Sequence, residues 1–119
     1  MGTFSVKVTL SNPEQRASRL SLDFLVDTGA IWSLIPADGA SSLGLVAIET
    51  RPVRTADGRR LELPLVEARF TIDGRSLTTP CLIGTADAQP LLGAVTLEAF
   101  GFAADPVQKI LVPVTGLLL

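Results

Sequence analysis

Apolar residues recur at every second position along most of this 119-residue chain, and that period limits its fold more than any other feature. Phe4, Val6, Val8 and Leu10 alternate with Ser5, Lys7 and Thr9. Leu20, Leu22, Phe24 and Val26 alternate with Arg19, Ser21 and Asp23, and Val66, Ala68, Phe70 and Ile72 with Glu67, Arg69 and Thr71. Successive side chains of a strand point to opposite faces, so each segment predicts a strand with one buried face. Turn residues separate them: Asn12-Pro13-Glu14, Asp73-Gly74 before Ser76–Ile83, and Asp105-Pro106 before Lys109–Val114. Asp57-Gly58, between Val53–Thr55 and Arg60–Leu63, suits a type I′ hairpin turn. Ser33-Leu34-Ile35 is a short strand ending at Pro36. Two stretches depart from the period: Ala37–Leu43, one or two helical turns closed by Gly44, and Val95–Phe100, a helix stopped by Gly101. The expectation is a mostly-β fold, a closed small β-barrel with one or two short helices, forming a single domain over residues 1–119.

Composition excludes much chemistry. The chain has no histidine and one cysteine. It therefore has no Ser-His-Asp triad, no Cys-His pair, no His-ligated metal and no internal disulfide. We expect no metal and no cofactor. Ten Lys and Arg against twelve Asp and Glu form no charge block, so no nucleic-acid partner is expected. The N-terminal MGTFSVKV lacks the basic and apolar regions of a signal peptide, and Val6 stands where myristoylation requires Ser or Thr. The apolar stretch Ile110–Leu119 is about half a membrane span and is broken by Pro113 and Gly116. The expectation is a cytoplasmic protein without a membrane partner.

Asp27-Thr28-Gly29 is the constellation that carries chemistry. It ends the apolar strand Phe24-Leu25-Val26 and precedes Ala30 and Ser33-Leu34-Ile35-Pro36. Because Phe24 and Val26 take the core phase, Asp27 falls on the polar phase and points away from the core. Gly29 permits close backbone approach there. The plain alternative is a turn aspartate that caps its own backbone.

The segment FLVDTGAIWSLIP resembles the active-site loop of retroviral-type aspartic proteases, especially their small prokaryotic relatives. Pro90-Leu91-Leu92-Gly93, followed by the Val95–Phe100 helix, is similar to the segment that packs beneath that loop. The order of elements agrees over residues 4–114. The resemblance implies a retropepsin-like fold and an aspartic endopeptidase, with Asp27, Thr28 and Gly29 as catalytic residues. Such chemistry needs two carboxylates ~3 Å apart sharing one proton. Asp23 lies roughly 13 Å from Asp27 along an extended strand, and Asp57 and Asp73 sit in turns. The second carboxylate is then Asp27 of another copy, in a homodimer with the active site on its two-fold axis.

By the same resemblance, Thr28 links the two loops, Gly29 contacts an extended peptide or protein substrate, and Ala30 lines the cleft. The hairpin tip with Ala56, Asp57 and Gly58 acts as a flap, and Ile83 and Leu91 are pocket walls. This chain departs from retroviral enzymes at Ile31 and Ala94, where those carry a paired Asp and Arg, and its flap tip is charged. A retropepsin-like module that dimerises and binds peptides without cutting them is the alternative function, and an unrelated small β-barrel binder is a third. Trp32 lines a subsite or packs in the core or an interface. Ser33 supports the loop by hydrogen bonding or simply starts a strand. Cys81 reads as an inert buried thiol, and Arg59 and Arg60 as a solvated tip or an acidic-peptide contact. Leu117-Leu118-Leu119 is a chain boundary, an interface strand or a link to a further segment, and burial against a partner is the expectation.

Overall fold

Strands β1 (Ser5–Asn12) and β2 (Gln15–Val26) form an antiparallel hairpin in register from Ser5 opposite Leu25 to Ser11 opposite Arg19. The computed structural model describes residues 3–116 and residue 118. After β2 come β3 (Ser33–Ile35), α1 (Ala37–Ser42), β4 (Glu49–Arg54), β5 (Arg60–Ile72) and β6 (Arg75–Ile83). The chain ends with β7 (Leu91–Leu92), α2 (Ala94–Phe100), β8 (Phe102–Asp105) and β9 (Ile110–Pro113). The main sheet runs β1-β2-β7-β3-β6-β5-β4, and β1 also pairs with β5 through Leu10 opposite Phe70. Six strands thus close into a ring, and β4 hangs from it as the outer strand of a hairpin with β5. The closed mostly-β architecture expected from the period of two is present.

The alternating residues converge inside this ring. Val8, Leu10, Phe24, Ile35, Val66, Ala68, Phe70 and Leu92 are buried, and Phe24 meets Phe70 edge to face at 5.9 Å. Helix α2 closes one end with Leu97 and Phe100. The Arg75 guanidinium lies over Phe100 and Phe102 and donates to the Phe100 carbonyl at 2.9 Å, tying the end of α2 to the separate β8–β9 hairpin.

Local structure departs from the sequence reading in three places. Asp73 and Gly74 both have positive φ, 51° and 79°, and form the two-residue loop between β5 and β6 that a type I′ turn requires. At the other hairpin only Gly58 has positive φ, and the loop runs over five residues from Thr55 to Arg59, so the type I′ expectation is corrected there. Strand β5 runs unbroken through Pro64, which sits before the pairing with β6 begins at Leu65 and so needs no N–H on that side. Phe102–Asp105, to which the sequence pattern assigned no element beyond the Asp105-Pro106 turn, is strand β8, paired with β9. Of the C-terminal leucines, Leu117 and Leu119 lie outside the described residues, and Leu118 is exposed. Among the described residues no helix is long and apolar enough to cross a membrane.

Candidate active site

The two-residue strand β7 is the keystone of the Asp27 loop. It lies between β2 and β3, parallel to the first and antiparallel to the second. The chain leaves β2 at Val26, turns through Asp27–Trp32, and re-enters the sheet as β3 on the far side of β7. The Asp27 N–H donates to the Leu92 carbonyl at 3.0 Å, and the Ala30 N–H returns to the Asp27 carbonyl at 3.2 Å. Helix α2 has no side-chain cap at its N-terminus. Its first amides go to the loop instead: Ala94 N–H donates to the Ala30 carbonyl at 2.8 Å and Val95 N–H to the Ile31 carbonyl at 2.9 Å. One set of bonds satisfies the helix terminus and fixes the loop backbone.

Below the loop lies a buried hydroxyl network. Ser33 Oγ is 2.7 Å from Thr96 Oγ1, which is 3.1 Å from Thr79 Oγ1, and Ser33 Oγ also accepts the Gly93 N–H at 3.0 Å. These contacts join β3, α2 and β6, and all three hydroxyl residues are buried. Ser33 therefore has the supporting role considered for it. Thr79 and Thr96 were missed; the available signal was Thr79 on the apolar phase of Leu77 and Cys81. A Cβ on Gly93 would come within 2.5 Å of the Trp32 carbonyl carbon and oxygen. Gly93 is there because two backbones touch. Cys81, in register beside Ser33, is buried, and burial pushes its thiol up to about 12, which keeps it protonated and inert.

Asp27 itself is half-buried, and Thr28 and Gly29 are exposed. Asp27 Oδ1 accepts the Gly29 N–H at 3.1 Å, the self-capping of a turn aspartate, and among the described residues Oδ2 has no hydrogen-bond partner. Among the described residues nothing demands glycine at 29: its φ is not positive, and a Cβ there would meet only Asp27 Oδ1 at 3.4 Å. A cavity of about 140 Å³ opens beside the loop. Its walls are Thr3 and Phe4, then Val26, Asp27 and Thr28, and finally Ala104 and Pro106 of the β8–β9 hairpin. A larger groove of about 370 Å³ lies elsewhere, along Leu20, Leu22, Pro36 and Ala88, and holds none of the Asp27 loop.

The other expected site residues divide into three groups. Ala30 belongs to the loop, and Leu91 pairs with Leu25 on the sheet face opposite the buried Val26 and Leu92. That is the phase on which Asp27 falls. Ile83 packs against the core cluster, opposite the buried Ile35. Ala56, Asp57 and Gly58 form an exposed tip. There the Asp57 carboxylate accepts from the Thr55 hydroxyl and from Arg59, whose Nε lies 3.1 Å from Asp57 Oδ2. The Thr55 hydroxyl, followed by the Arg59 amide, holds the Asp57 carboxyl below its ordinary value of 3.8.

The hairpin has two chemically distinct faces. Arg51, Val53, Leu61 and Leu63 alternate on one face and are half-buried, while Pro52, Arg54, Arg60 and Glu62 on the other are exposed. The inner face touches the loop region, since the Arg51 guanidinium lies 5.4 Å from the Trp32 ring centroid. Sequence reasoning looked to the tip and missed this face, though the alternation Arg51, Val53, Leu61, Leu63 was available to it. Among the described residues no group of three or more Cys, Asp or Glu converges to hold a metal ion.

Residues 6–96 match the family model described as aspartyl protease. No curated protein matches the chain. Among solved structures, the chain is similar to the EIAV protease complexed with the inhibitor HBY-793, at 19% identity and a TM-score of 0.64, covering 82% of this chain and 86% of that one. It is similar to a retropepsin-like aspartic protease from Rickettsia conorii at 24% identity and a TM-score of 0.59, covering 92% and 88%. The retroviral protease-like domain of Ddi1 from Leishmania major matches at 16% identity and a TM-score of 0.64, covering 98% and 96%. These likenesses are of fold.

Proposed function

The chain belongs to the aspartyl protease family, and on that premise we propose that it is an aspartic endopeptidase of retropepsin type, active as a homodimer. The observation that carries this reading is the Asp27 loop: a backbone clamped by β7 and α2, presenting a half-buried carboxylate with one oxygen unpartnered among the described residues. One chain supplies one such carboxylate. The glycine at 29, which nothing among the described residues requires, suits an approach from outside, by substrate or a second copy.

Exposed apolar side chains support that second copy. Ile31, next to the loop, is 66% exposed, and Val107, Ile110 and Val114 are exposed on and beside the β8–β9 hairpin. That hairpin lines the same small cavity as Asp27 through Ala104 and Pro106. Apolar surface of this kind, next to the loop and on the hairpin that shares its cavity, is what a two-fold interface would cover.

In the dimer, two Asp27 carboxylates share one proton because like charges that close cannot both ionise. The ionised one takes a proton from a water lying between them, and the resulting hydroxide forms a bond to the scissile carbonyl carbon. The protonated partner donates to the carbonyl oxygen, giving a tetrahedral gem-diol. Collapse of that intermediate breaks the C–N bond as a proton passes to the leaving nitrogen. Thr28 links the loops across the axis and Gly29 contacts the substrate main chain. Ala30 and Leu91 line the cleft, joined by Val53 and Leu61 on the inner face of the hairpin. Ala56, Asp57 and Gly58 close over the peptide. Ile83, packed on the core, backs the wall.

Peptide-library cleavage by the wild type and Asp27→Asn tests the reading. We expect the variant to lose activity by roughly 10²–10⁴-fold or more, the usual worth of acid–base groups. Mixing wild type with excess Asp27→Asn chain should suppress activity beyond simple dilution, because mixed dimers hold one carboxylate. Retained cleavage by Asp27→Asn would overturn the assignment. A dimer in which neither form cleaves any peptide would instead make this a peptide-binding module.

A further inference from the structure

The inner face of the β4–β5 hairpin is apolar except at its root. Val53, Leu61 and Leu63 are half-buried there, and with them lies one cation, Arg51. Its guanidinium sits over Trp32, 5.4 Å from the ring centroid, with its side chain 41% exposed. The Trp32 backbone is in turn fixed from below, since its carbonyl group abuts Gly93. The cation is therefore held between the flap strand and the segment that leaves the Asp27 loop. Stacking on an aromatic face restrains a guanidinium while leaving its edge open for hydrogen bonds.

That edge is only partly used. Arg51 Nε donates to Glu49 Oε2 at 2.6 Å, and among the described residues its two terminal nitrogens have no hydrogen-bond partner. An arginine carries five N–H donors, and the terminal pair matches the two oxygens of a carboxylate. Glu49 orients the group without exhausting it. The other arginines of the hairpin do not compete for the same position. Arg54 and Arg60 are on the outer face, and Arg59 is engaged with Asp57 at the tip.

We infer that Arg51, stacked on Trp32, is a specificity-determining residue that selects an acidic side chain, Asp or Glu, at one position of the bound peptide. This rests on the reading of the cleft between loop and hairpin as a peptide site. A peptide extended between them projects alternate side chains to the two sides. One of these meets a cation held by Trp32 and Glu49 beside Val53, Leu61 and Leu63, where a carboxylate forms charge-assisted hydrogen bonds with the free terminal nitrogens and a cationic side chain gains none. Because the site is partly open to solvent, the discrimination is modest, about fivefold for Glu over Gln.

Two assays on the 119-residue chain test this. The first is peptide-library cleavage by wild type, Arg51→Gln and Arg51→Glu. We expect the wild type to favour Asp or Glu about fivefold at a single position, Arg51→Gln to erase that preference, and Arg51→Glu to replace it with one for Lys or Arg. The second uses the non-cleaving Asp27→Asn variant, titrated with acidic, neutral and basic versions of one extended peptide. Trp32, the only tryptophan in the chain, reports through its emission. Acidic peptides should bind about fivefold more tightly, and adding Arg51→Gln should remove the difference. An acidic preference absent from both assays, or one that survives Arg51→Glu, overturns the inference. Arg51-dependent binding of acidic peptides by a protein that cleaves nothing would overturn the protease reading and leave this selectivity standing.

Discussion

The Asp27 loop and the tip of the β4–β5 hairpin are each supported by a small polar network, and burial makes the two networks behave differently. Beneath the loop, Ser33, Thr79 and Thr96 are out of contact with water, and among the described residues no buried side-chain nitrogen or oxygen lacks a partner. At the tip, Asp57 and Arg59 keep 62% and 70% of their side-chain exposure. Breaking a buried hydrogen bond strands a polar group that water cannot reach, whereas an exposed pair trades its partner for solvent at little cost. On the proposed reading, a carboxylate that meets its twin across a dimer axis calls for the first kind of support, and a hairpin that closes over substrate calls for the second.

The contrast is sharpest at Gly93. Gly93→Ala drives a Cβ into the Trp32 carbonyl, where backbone rather than a side chain would have to yield. We expect a loss of about 3 kcal/mol in chemical denaturation, the upper part of the overpacking range. Unchanged stability would show that the platform under the loop is soft. Thr96→Val keeps the volume but removes the hydroxyl between Ser33 and Thr79. Leaving buried hydroxyls short of a partner should cost about 1–3 kcal/mol and lower the melting temperature by several degrees. A loss within measurement error would mean the network is dispensable.

The tip should respond far less. Asp57→Ala is expected to leave the melting temperature unchanged while speeding hydrogen exchange at the Arg59 amide, which donates to Asp57 Oδ1. The pH dependence follows from the direction of the Asp57 shift. Its carboxyl is held below 3.8 by the Thr55 hydroxyl and the Arg59 amide, so the ordering it provides is complete above pH 3.8. It is lost as pH falls through the lower folded-state value. Acid should therefore loosen the tip with no matching step in wild-type global stability that Asp57→Ala abolishes. A large change in global stability in that variant would erase the distinction between the two regions.

Much of the ring was legible because a period of two is a local property. Leu10, Phe24, Val66 and Phe70 each declare their face through their neighbours in sequence, and all are buried. The Asp27 motif was legible for a similar reason, as strand, turn and glycine lie within a few residues. What stayed hidden is what distant segments do together. Asp57-Gly58 and Asp73-Gly74 read alike, yet only the second adopts two positive φ angles. Its strands stay in register to the turn, whereas at the first the Thr55, Asp57 and Arg59 contacts favour a longer loop. Strand β7 is two residues long, too short to announce itself by alternation, and exists because β2 and β3 flank it.

The sequence by itself determined the mostly-β class, the places of the turns, the core phase and the single Asp-Thr-Gly on the polar phase of its strand. Each follows from backbone geometry and from which side chains water excludes. The tertiary structure alone decided how that loop is held. Ser33, Thr79 and Thr96 are separated by up to 63 positions along the chain and meet only when the ring closes. The same closure brings the Gly93 backbone against Trp32 and places Arg51 of the hairpin over its ring. Such contacts depend on packing between segments that carry no local signal for one another.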